Sequence, residues 1–265
     1  MAENVIAILT AGGIMLAVAV VFGTVLTVCS HVFSVKKDER AEPVETLLAH
    51  ANCGGCGYAG CAQFAEALVK GEASLSSCRA TSSENKEKIA ALLGGGEIGE
   101  ESVAVVHCSG GHACFDKYDY QGYGDCASCE LIAGGVKACP VGCIGKKTCV
   151  NICPYGAISV GDGGYSVVDK EKCVSCGACI KECPKGIISR IPKSAKVFIG
   201  CSNHGKGKDV TELCKRGCIG CGICAKNCPE GAISMKDGLP EIDYSRCTGC
   251  MVCVQKCPRK CIKEH

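Results

Sequence analysis

Cysteine spacing is the most informative chemical feature of this chain. It has 28 cysteines among 265 residues, and the stretch CIGCGICAKNCPEG at 218–231 holds four within eleven residues, the last followed by proline. Three thiolates at i, i+3 and i+6 can face one polymetallic body, whereas structural zinc sites usually pair two separated C-x-x-C knuckles. The run C-x2-C-x2-C-x3-C-P is the bacterial ferredoxin pattern for [4Fe-4S] clusters, in which the fourth cysteine binds the other cluster of a pair. The stretch therefore predicts iron-sulfur clusters.

The same run is repeated near the end of the chain, from Cys247 to Pro258. Because the fourth cysteine of each run belongs to the other cluster, two neighbouring runs predict a crossed pair of sites. We expect one cluster on Cys218, Cys221, Cys224 and Cys257, and another on Cys247, Cys250, Cys253 and Cys228.

An upstream pair follows the same plan with one irregular half. The regular run ends at Cys183 and Pro184, but its partner reads CPVGCIGKKTCVNICP, with Lys146 where a regular triplet has its middle thiol. We expect Cys139 to supply the missing ligand. The predicted sets are Cys139, Cys143, Cys149 and Cys183 for one cluster, and Cys173, Cys176, Cys179 and Cys153 for the other.

Eight more cysteines form two further candidate sets. The first, in a short segment of its own, is Cys53, Cys56, Cys61 and Cys78, for which a structural zinc knuckle is the alternative. The second is Cys108, Cys126, Cys201 and Cys214, which lie near the ferredoxin runs although no local spacing demands that they converge. Six sets of four use 24 of the 28 cysteines. The remaining thiols are expected to be plain side chains, and they are Cys29, Cys114, Cys129 and Cys261.

The composition agrees with a chain folded around metal. Only 5% of the residues are aromatic and none is tryptophan, so large apolar side chains contribute little to the core. A cysteine content this high is typical of a disulfide scaffold or of a metal protein, and these belong to opposite redox compartments. The formal net charge of +2 gives no basic excess that would indicate a nucleic-acid partner.

The N-terminal segment has the composition of a membrane span. Residues 5–35 carry no charged side chain, and about 20 apolar residues suffice to cross a bilayer. We predict a transmembrane helix at 5–28, in an anchor covering 1–35, with a cleaved signal peptide as the alternative. Lys36, Lys37 and Arg40 follow it, which places the bulk of the chain in the cytoplasm by the positive-inside rule. That reducing compartment disfavours disulfides.

The secondary structure expected around the cysteines gives an α+β fold. Residues 36–93 are predicted to form a small helical four-cysteine domain, whose last helix has a capping box at Thr81 and Glu84. The Gly-rich segment 94–102 is expected to be a linker, which suggests that this domain swings. Residues 103–265 are predicted to be a polyferredoxin core with modules at about 137–191 and 214–265. Two aligned repeats, at 153–173 and 228–247, each predict a short β-hairpin.

The order of these features resembles a known family. An uncharged N-terminal helix, NCGGCGYAGCAQFAEAL, the segment GYGDC, the variant ferredoxin pair and a second pair follow one another as in the B subunit of the Rnf complex. The resemblance covers essentially the whole chain. It implies a membrane complex that oxidises reduced ferredoxin, reduces NAD+ and moves Na+ or H+ across the cytoplasmic membrane. The B subunit is then expected to take electrons from soluble ferredoxin and pass them to flavin- and iron-sulfur-bearing subunits.

The cysteine sets predict six [4Fe-4S] clusters on 24 cysteines, and no substrate-converting site beyond electron transfer is expected. Cys114, Cys129 and Cys261 match no ligand of the family, which leaves another ligation open around Cys126. No nucleophile with its base, no phosphate loop and no credible nucleotide motif accompanies the cysteines, which agrees with that expectation. The alternative function is a membrane-tethered polyferredoxin that serves a different enzyme, such as a hydrogenase or reductase. A zinc-binding or structural protein is a third hypothesis, and the cysteine spacing disfavours it.

Overall fold

The computed structural model describes residues 2–32, 38–95 and 99–265 of the chain. These residues divide into two compact units, Met1–Glu39 and Arg40–His265. Lys36 and Lys37, on which the predicted orientation in the membrane depends, lie outside the described residues. The expected boundaries of the four-cysteine domain, the linker and the ferredoxin core remain predictions, because residues 40–265 form one unit.

The described part of the first unit contains one long helix. Helix α1 runs over Ala2–Val32, longer at both ends than the predicted span. Its segment Gly12–Ser30 has a mean hydropathy of 2.3, and it is the one helix in the described part of the chain that is long and apolar enough to cross a membrane. Apolar side chains such as Met15 and Leu16 are exposed along it. A helix that is apolar on all sides and exposed is typical of a membrane span.

The first part of the second unit, residues 40–95, is helical. Its apolar core is formed by side chains such as Val44, Phe64, Leu68 and Ile89, and Cys78 belongs to the same core. The helices therefore pack around the segment that carries the first cysteine set. They are α2 (Ala41–Leu47), α3 (Cys61–Val69) and α4 (Ser83–Leu93), with a one-turn 3-10 helix at Leu75–Ser77.

The ends of α4 show how local sequence sets its limits. The predicted cap at Thr81 is wrong: Ser82 is the N-cap, and its hydroxyl accepts a hydrogen bond from the backbone N–H of Asn85. Thr81 is instead buried and accepts from the backbone N–H of Ala49, because it faces the core. At the other end Gly94 has a φ of 76°, the left-handed conformation that often ends a helix.

Residues 99–265 contain two halves with the same order of strands. In each half an outer strand pairs antiparallel with the last strand, and a hairpin lies between them in sequence. Both predicted hairpins are confirmed. Each half also begins with a strand that precedes the predicted module, so the repeat is longer than the cysteine pattern indicated. The first half has β1 (Ser102–Val106) paired with β4 (Ile188–Pro192) and the hairpin of β2 (Ile158–Val160) and β3 (Ser166–Val168). The second has β5 (Val197–Ile199) paired with β8 (Ile262–Glu264) and the hairpin of β6 (Ile233–Lys236) and β7 (Leu239–Ile242).

Short helices carry cysteines in both halves. Four of them begin directly after a residue in the left-handed conformation: Lys147, Gly177, Gly222 and Met251. A left-handed residue turns the chain sharply, so each cysteine loop bends and its thiols face a common centre. The helices are α5 (Cys126–Leu131), α6 (Thr148–Asn151), α7 (Ala178–Glu182), α8 (Gly207–Leu213), α9 (Ile223–Lys226) and α10 (Val252–Lys256), with a 3-10 turn at Gly111–Ala113.

Candidate metal centres

All 28 cysteines lie in the described residues, and all are free thiols. Most of them surround cavities. Four cavities of similar size, about 330 to 430 Å³, are each lined by at least four cysteines. Within the described residues, however, no three Cys, His, Asp or Glu side chains converge as they must around a single metal ion. Thiols placed around a cavity suit a polyatomic cluster better than zinc, so the zinc alternative fits the structure poorly.

The four cysteines of the 53–78 segment are brought together around one cavity, as the sequence predicted. Cys61 is the first residue of α3, and its backbone N–H donates to the side-chain oxygen of Asn52 over 2.8 Å. Cys78 follows the 3-10 turn, and its Sγ lies 3.2 Å from the Thr81 hydroxyl. These hydrogen bonds hold two of the four cysteines in place.

The same cavity reaches the first ferredoxin half. Ser175, Cys176 and Arg190 line it together with the 53–78 cysteines. At Gly55 a Cβ atom would lie 2.8 Å from the carbonyl oxygen of Cys176, so only glycine lets the two loops approach this closely. The Ser83 hydroxyl also donates to Glu101 over 2.7 Å, across the Gly-rich segment. Both parts belong to one compact unit, and the swinging motion suggested by the linker stays a prediction.

The regular set of the first pair is held by backbone donors. The N–H groups of Ala104 and Ala157 each donate to a cysteine sulfur, those of Cys173 and Cys153, over 3.4 Å. Burial, together with nearby thiols that include Cys173 and Cys153, raises the pKa of Cys179 to about 12. Cys153 thus lies with the triplet that follows it, which is the crossed arrangement that the sequence predicted.

In the irregular set, Cys126 lies where the sequence predicted Cys139. A cavity is lined by Cys126, Cys143, Cys149 and Cys183, without Cys139. Cys126 begins α5, capped by Asp125, and its backbone N–H donates to the hydroxyl of Thr148 over 2.8 Å. Because Thr148 precedes Cys149, this bond brings Cys126 to the place that Lys146 leaves open. Lys146 instead lies over the ring of Tyr120.

Cys139 lines a different cavity, which is formed by residues of both halves. It lines this cavity with Cys108 from the first half and Cys201 and Cys214 from the second. The side-chain amide of Asn203 donates to its sulfur over 3.3 Å. Cys108 and Cys201 each lie two residues beyond the outer strand of their half, β1 and β5, which places them in equivalent positions. No pattern in the sequence signals the Asn203 contact, since it joins distant segments.

The last ferredoxin pair shows its crossing directly. Cys218, Cys221, Cys224 and Cys257 line one cavity, so Cys257 lies with the preceding triplet and not with its own. Of the other four cysteines, Cys253 belongs to the apolar core of this half, and Cys228 and Cys247 pack against it. Cys250 lies between Cys247 and Cys253 in the loop of the last triplet. Cys221 and Cys250 are exposed, whereas Cys218, Cys224 and Cys253 are buried.

Two thiols expected to be plain side chains lie against these sets. Cys261 is buried, and hydrogen bonding with its thiol lowers the pKa of Cys257 to about 5 and of Cys218 to about 7. Cys114 is also buried, and its hydrogen bond lowers the pKa of Cys214 to about 6. Sequence spacing did not reveal either contact. Cys129 is buried among apolar side chains, and Cys29 is exposed on α1.

Burial also explains why these thiols suit metal. It raises the pKa of Cys143 to about 12 and those of Cys201 and Cys224 to about 11. A buried thiolate is unfavourable unless positive charge lies beside it, and bound iron supplies that charge. The donor sets therefore fit iron-sulfur clusters both in number and in surroundings.

Comparison with known proteins agrees with this chemistry. A family model for an Fe-S cluster domain matches residues 48–80. A model for the 4Fe-4S dicluster domain matches residues 142–187 and 217–261. The fold and the cysteine sets together define an iron-sulfur electron-transfer protein.

Curated relatives give the family. The chain is 43% identical to the B subunit of the ion-translocating oxidoreductase complex of Methanosarcina acetivorans, over 84% of this chain and 86% of the relative. It is 38% identical to the B subunit of the Na(+)-translocating ferredoxin:NAD(+) oxidoreductase complex of Acetobacterium woodii, over 91% and 73% of the two chains. It is also 38% identical to the proton-translocating counterpart from Clostridium ljungdahlii, over 88% and 83%.

The chain belongs to the B subunits of ion-translocating ferredoxin:NAD+ oxidoreductases, the Rnf family that the sequence resembled. It is an iron-sulfur electron-transfer subunit of such a complex. The apolar helix α1 agrees with attachment of this complex to a membrane.

Proposed function

We propose that the chain carries six [4Fe-4S] clusters which relay single electrons from reduced ferredoxin to the other subunits of an Rnf-type complex. The partner subunits, which carry flavin, reduce NAD+ and couple the transfer to Na+ or H+ movement. Helix α1 anchors the chain as a single pass, with residues 40–265 on the cytoplasmic side. The proposed ligands are the 24 cysteines named from the sequence, with Cys126 and Cys139 exchanged between two sets.

The observation that carries this proposal is that neighbouring cysteine sets contact one another in a continuous series. The Cys53–Cys78 set contacts Cys176 through Gly55. The set with Cys176 shares an apolar core with the next one, since Cys179 belongs to this core and Cys149 packs against it. The backbone N–H of Cys143 then donates to Cys108 Sγ, and that of Cys218 donates to Cys201 Sγ, each over 3.3 Å.

The order of these contacts gives the order of the clusters in the proposed electron-transfer wire. It runs from the 53–78 set through both sets of the first half, then through the set between the halves, and finally to the last ferredoxin pair. Electrons pass between clusters that lie close together, so a row of adjacent sets supports a wire better than isolated sites do. The direction of electron flow along it follows from where ferredoxin docks.

The chain's own groups hold the clusters and adjust their potentials. Iron-sulfur clusters supply the one-electron chemistry, with potentials that range from about −700 to +450 mV. The thiolates fix each cluster, and backbone N–H donors such as those of Ala157 and Ala232 bond the ligand sulfurs of Cys153 and Cys228. Hydrogen bonds to sulfur are one of the means by which a protein sets the potential.

The test is the iron and acid-labile sulfide content of the anaerobically purified full chain, with reduction by ferredoxin followed in the same sample. The proposal expects about 24 iron and 24 sulfide per chain, with rapid bleaching by reduced ferredoxin. About 16 of each confines the clusters to the two ferredoxin pairs and contradicts the two other sets. Little iron without sulfide contradicts electron transfer altogether.

A further inference from the structure

Cys261 occupies a position that occurs four times in the chain. Each ferredoxin run ends in Cys-Pro, and the fourth residue after that cysteine is Ala157, Ile187 or Ala232 in three runs but Cys261 in the last. The preceding residue has the same left-handed backbone in all four, with φ of 58°, 61° and 55° at glycines and 50° at Lys260. The four positions are therefore structurally equivalent, and only the last one carries a thiol.

The surroundings of Cys261 direct that thiol at ligand sulfurs. Its side chain is 2% exposed, and its carbonyl oxygen accepts a hydrogen bond from the N–H of Gly200 over 2.7 Å. Its Sγ lies 3.6 Å from the Sγ of Cys257. It lines the same cavity as Cys218, Cys221, Cys224 and Cys257. The thiol is thus fixed in place beside a set that already has four cysteines.

We propose that Cys261 is a positioning residue whose thiol donates an S–H hydrogen bond to the ligand sulfur of Cys257, so that the reduction potential of the cluster on this set is higher than it would be without the donor. This inference rests on the proposed function. Metal-bound thiolates can only accept, whereas an uncoordinated thiol can donate. Reduction adds negative charge to the ligand sulfurs, so a donor to them favours the reduced form. The three other runs have Ala or Ile at this position and lack the extra donor.

The test is an EPR-monitored redox titration of the full, cluster-loaded chain and of its Cys261→Ala and Cys261→Ser variants. Alanine is native at the equivalent position in two runs, so this variant is expected to fold with its full iron content. The midpoint of one signal should fall by up to about 59 mV, which is a tenfold change in the equilibrium constant for a one-electron couple. Serine keeps an O–H donor and should restore most of the potential.

The matched control is Cys129→Ala, which removes another fully buried thiol far from Cys257 along the chain. It should leave the midpoint of that signal unchanged. Loss of about four iron in Cys261→Ala would identify Cys261 as a ligand and overturn the proposal. Full iron with unchanged midpoints would overturn it as well. If the unmodified chain itself lacks iron and sulfide, the proposed function fails first, and the two failures are thereby distinguished.

Discussion

Two cysteines, Cys126 and Cys139, show how much the role of a residue depends on its contacts. Both lie near the irregular triplet in sequence, and the missing thiol at Lys146 favoured Cys139. The hydrogen bond from the Cys126 N–H to Thr148 brings Cys126 beside Cys149, whereas Asn203 holds Cys139 at the cavity between the halves. Side-chain contacts between separate segments therefore place each thiol at its own cavity.

The exchange can be tested with single variants. Cys126→Ala should damage the cluster of Cys143, Cys149 and Cys183, because it removes one of four ligands there. Cys139→Ala should instead damage the cluster between the halves. Mössbauer or EPR spectra of the two variants, with iron counted per chain, should therefore lose different signals and about four iron or fewer each. Loss of the same signal in both variants would contradict the exchanged assignment.

Among the secondary-structure elements, short loops bring neighbouring sets together. The left-handed residues that precede α6, α7, α9 and α10 curl each triplet, and the pairs β1–β4 and β5–β8 close each half. The loop at Gly55 then lies against the loop at Cys176. Because this contact joins the 53–78 set to the set that includes Cys176, electron transfer between these two sets in the proposed wire depends on it.

Gly55→Val tests that contact. The added side chain would overlap the Cys176 carbonyl, and such overpacking typically costs about 1–3 kcal/mol. We expect both clusters to form but electron exchange between them to slow, measured by rapid-freeze EPR after reduction by ferredoxin. Gly124→Ala is the control, since a Cβ there meets nothing within 4 Å. Equal exchange rates in the valine variant and the unmodified chain would contradict a direct junction.

Across the second unit as a whole, cohesion comes from many small cores that contain thiols. The largest apolar clusters of this unit each include cysteines, as with Cys218, Cys224 and Cys253 among isoleucines and valines. Few large apolar side chains are available to replace them, because only five phenylalanines and seven tyrosines are present. Cluster binding is therefore expected to supply much of the folding free energy.

Iron removal should show this directly. The chain is treated anaerobically with a chelator, and the released thiols are then kept reduced. We expect most of the secondary structure of residues 40–265 to be lost, as measured by circular dichroism and two-dimensional NMR. Helix α1 in detergent should keep its helicity, since its hydrogen bonds need no metal. A stripped chain that retained a native-like NMR spectrum would contradict the dependence of folding on the clusters.

The local features of this protein could be predicted from its sequence alone. The triplet spacing predicted crossed ferredoxin pairs, the Asp-Gly turns predicted both hairpins, and the uncharged run predicted the long helix α1. These features depend on residues close together in the chain, where backbone geometry and periodicity leave few choices. The order of the modules was also sufficient to indicate the family.

Which distant thiols meet could not be predicted in this way, because it depends on contacts between separate segments. The set between the halves takes Cys108 and Cys139 from one half and Cys201 and Cys214 from the other. Cys108, Cys201 and Cys214 were predicted to form one set, but no spacing encodes their meeting with Cys139. The cavity shared by Cys261 and Cys218, and the contact of Gly55 with Cys176, likewise join separate segments. Their positions follow from strand pairing and from side-chain hydrogen bonds between segments, which exist only once the chain has folded.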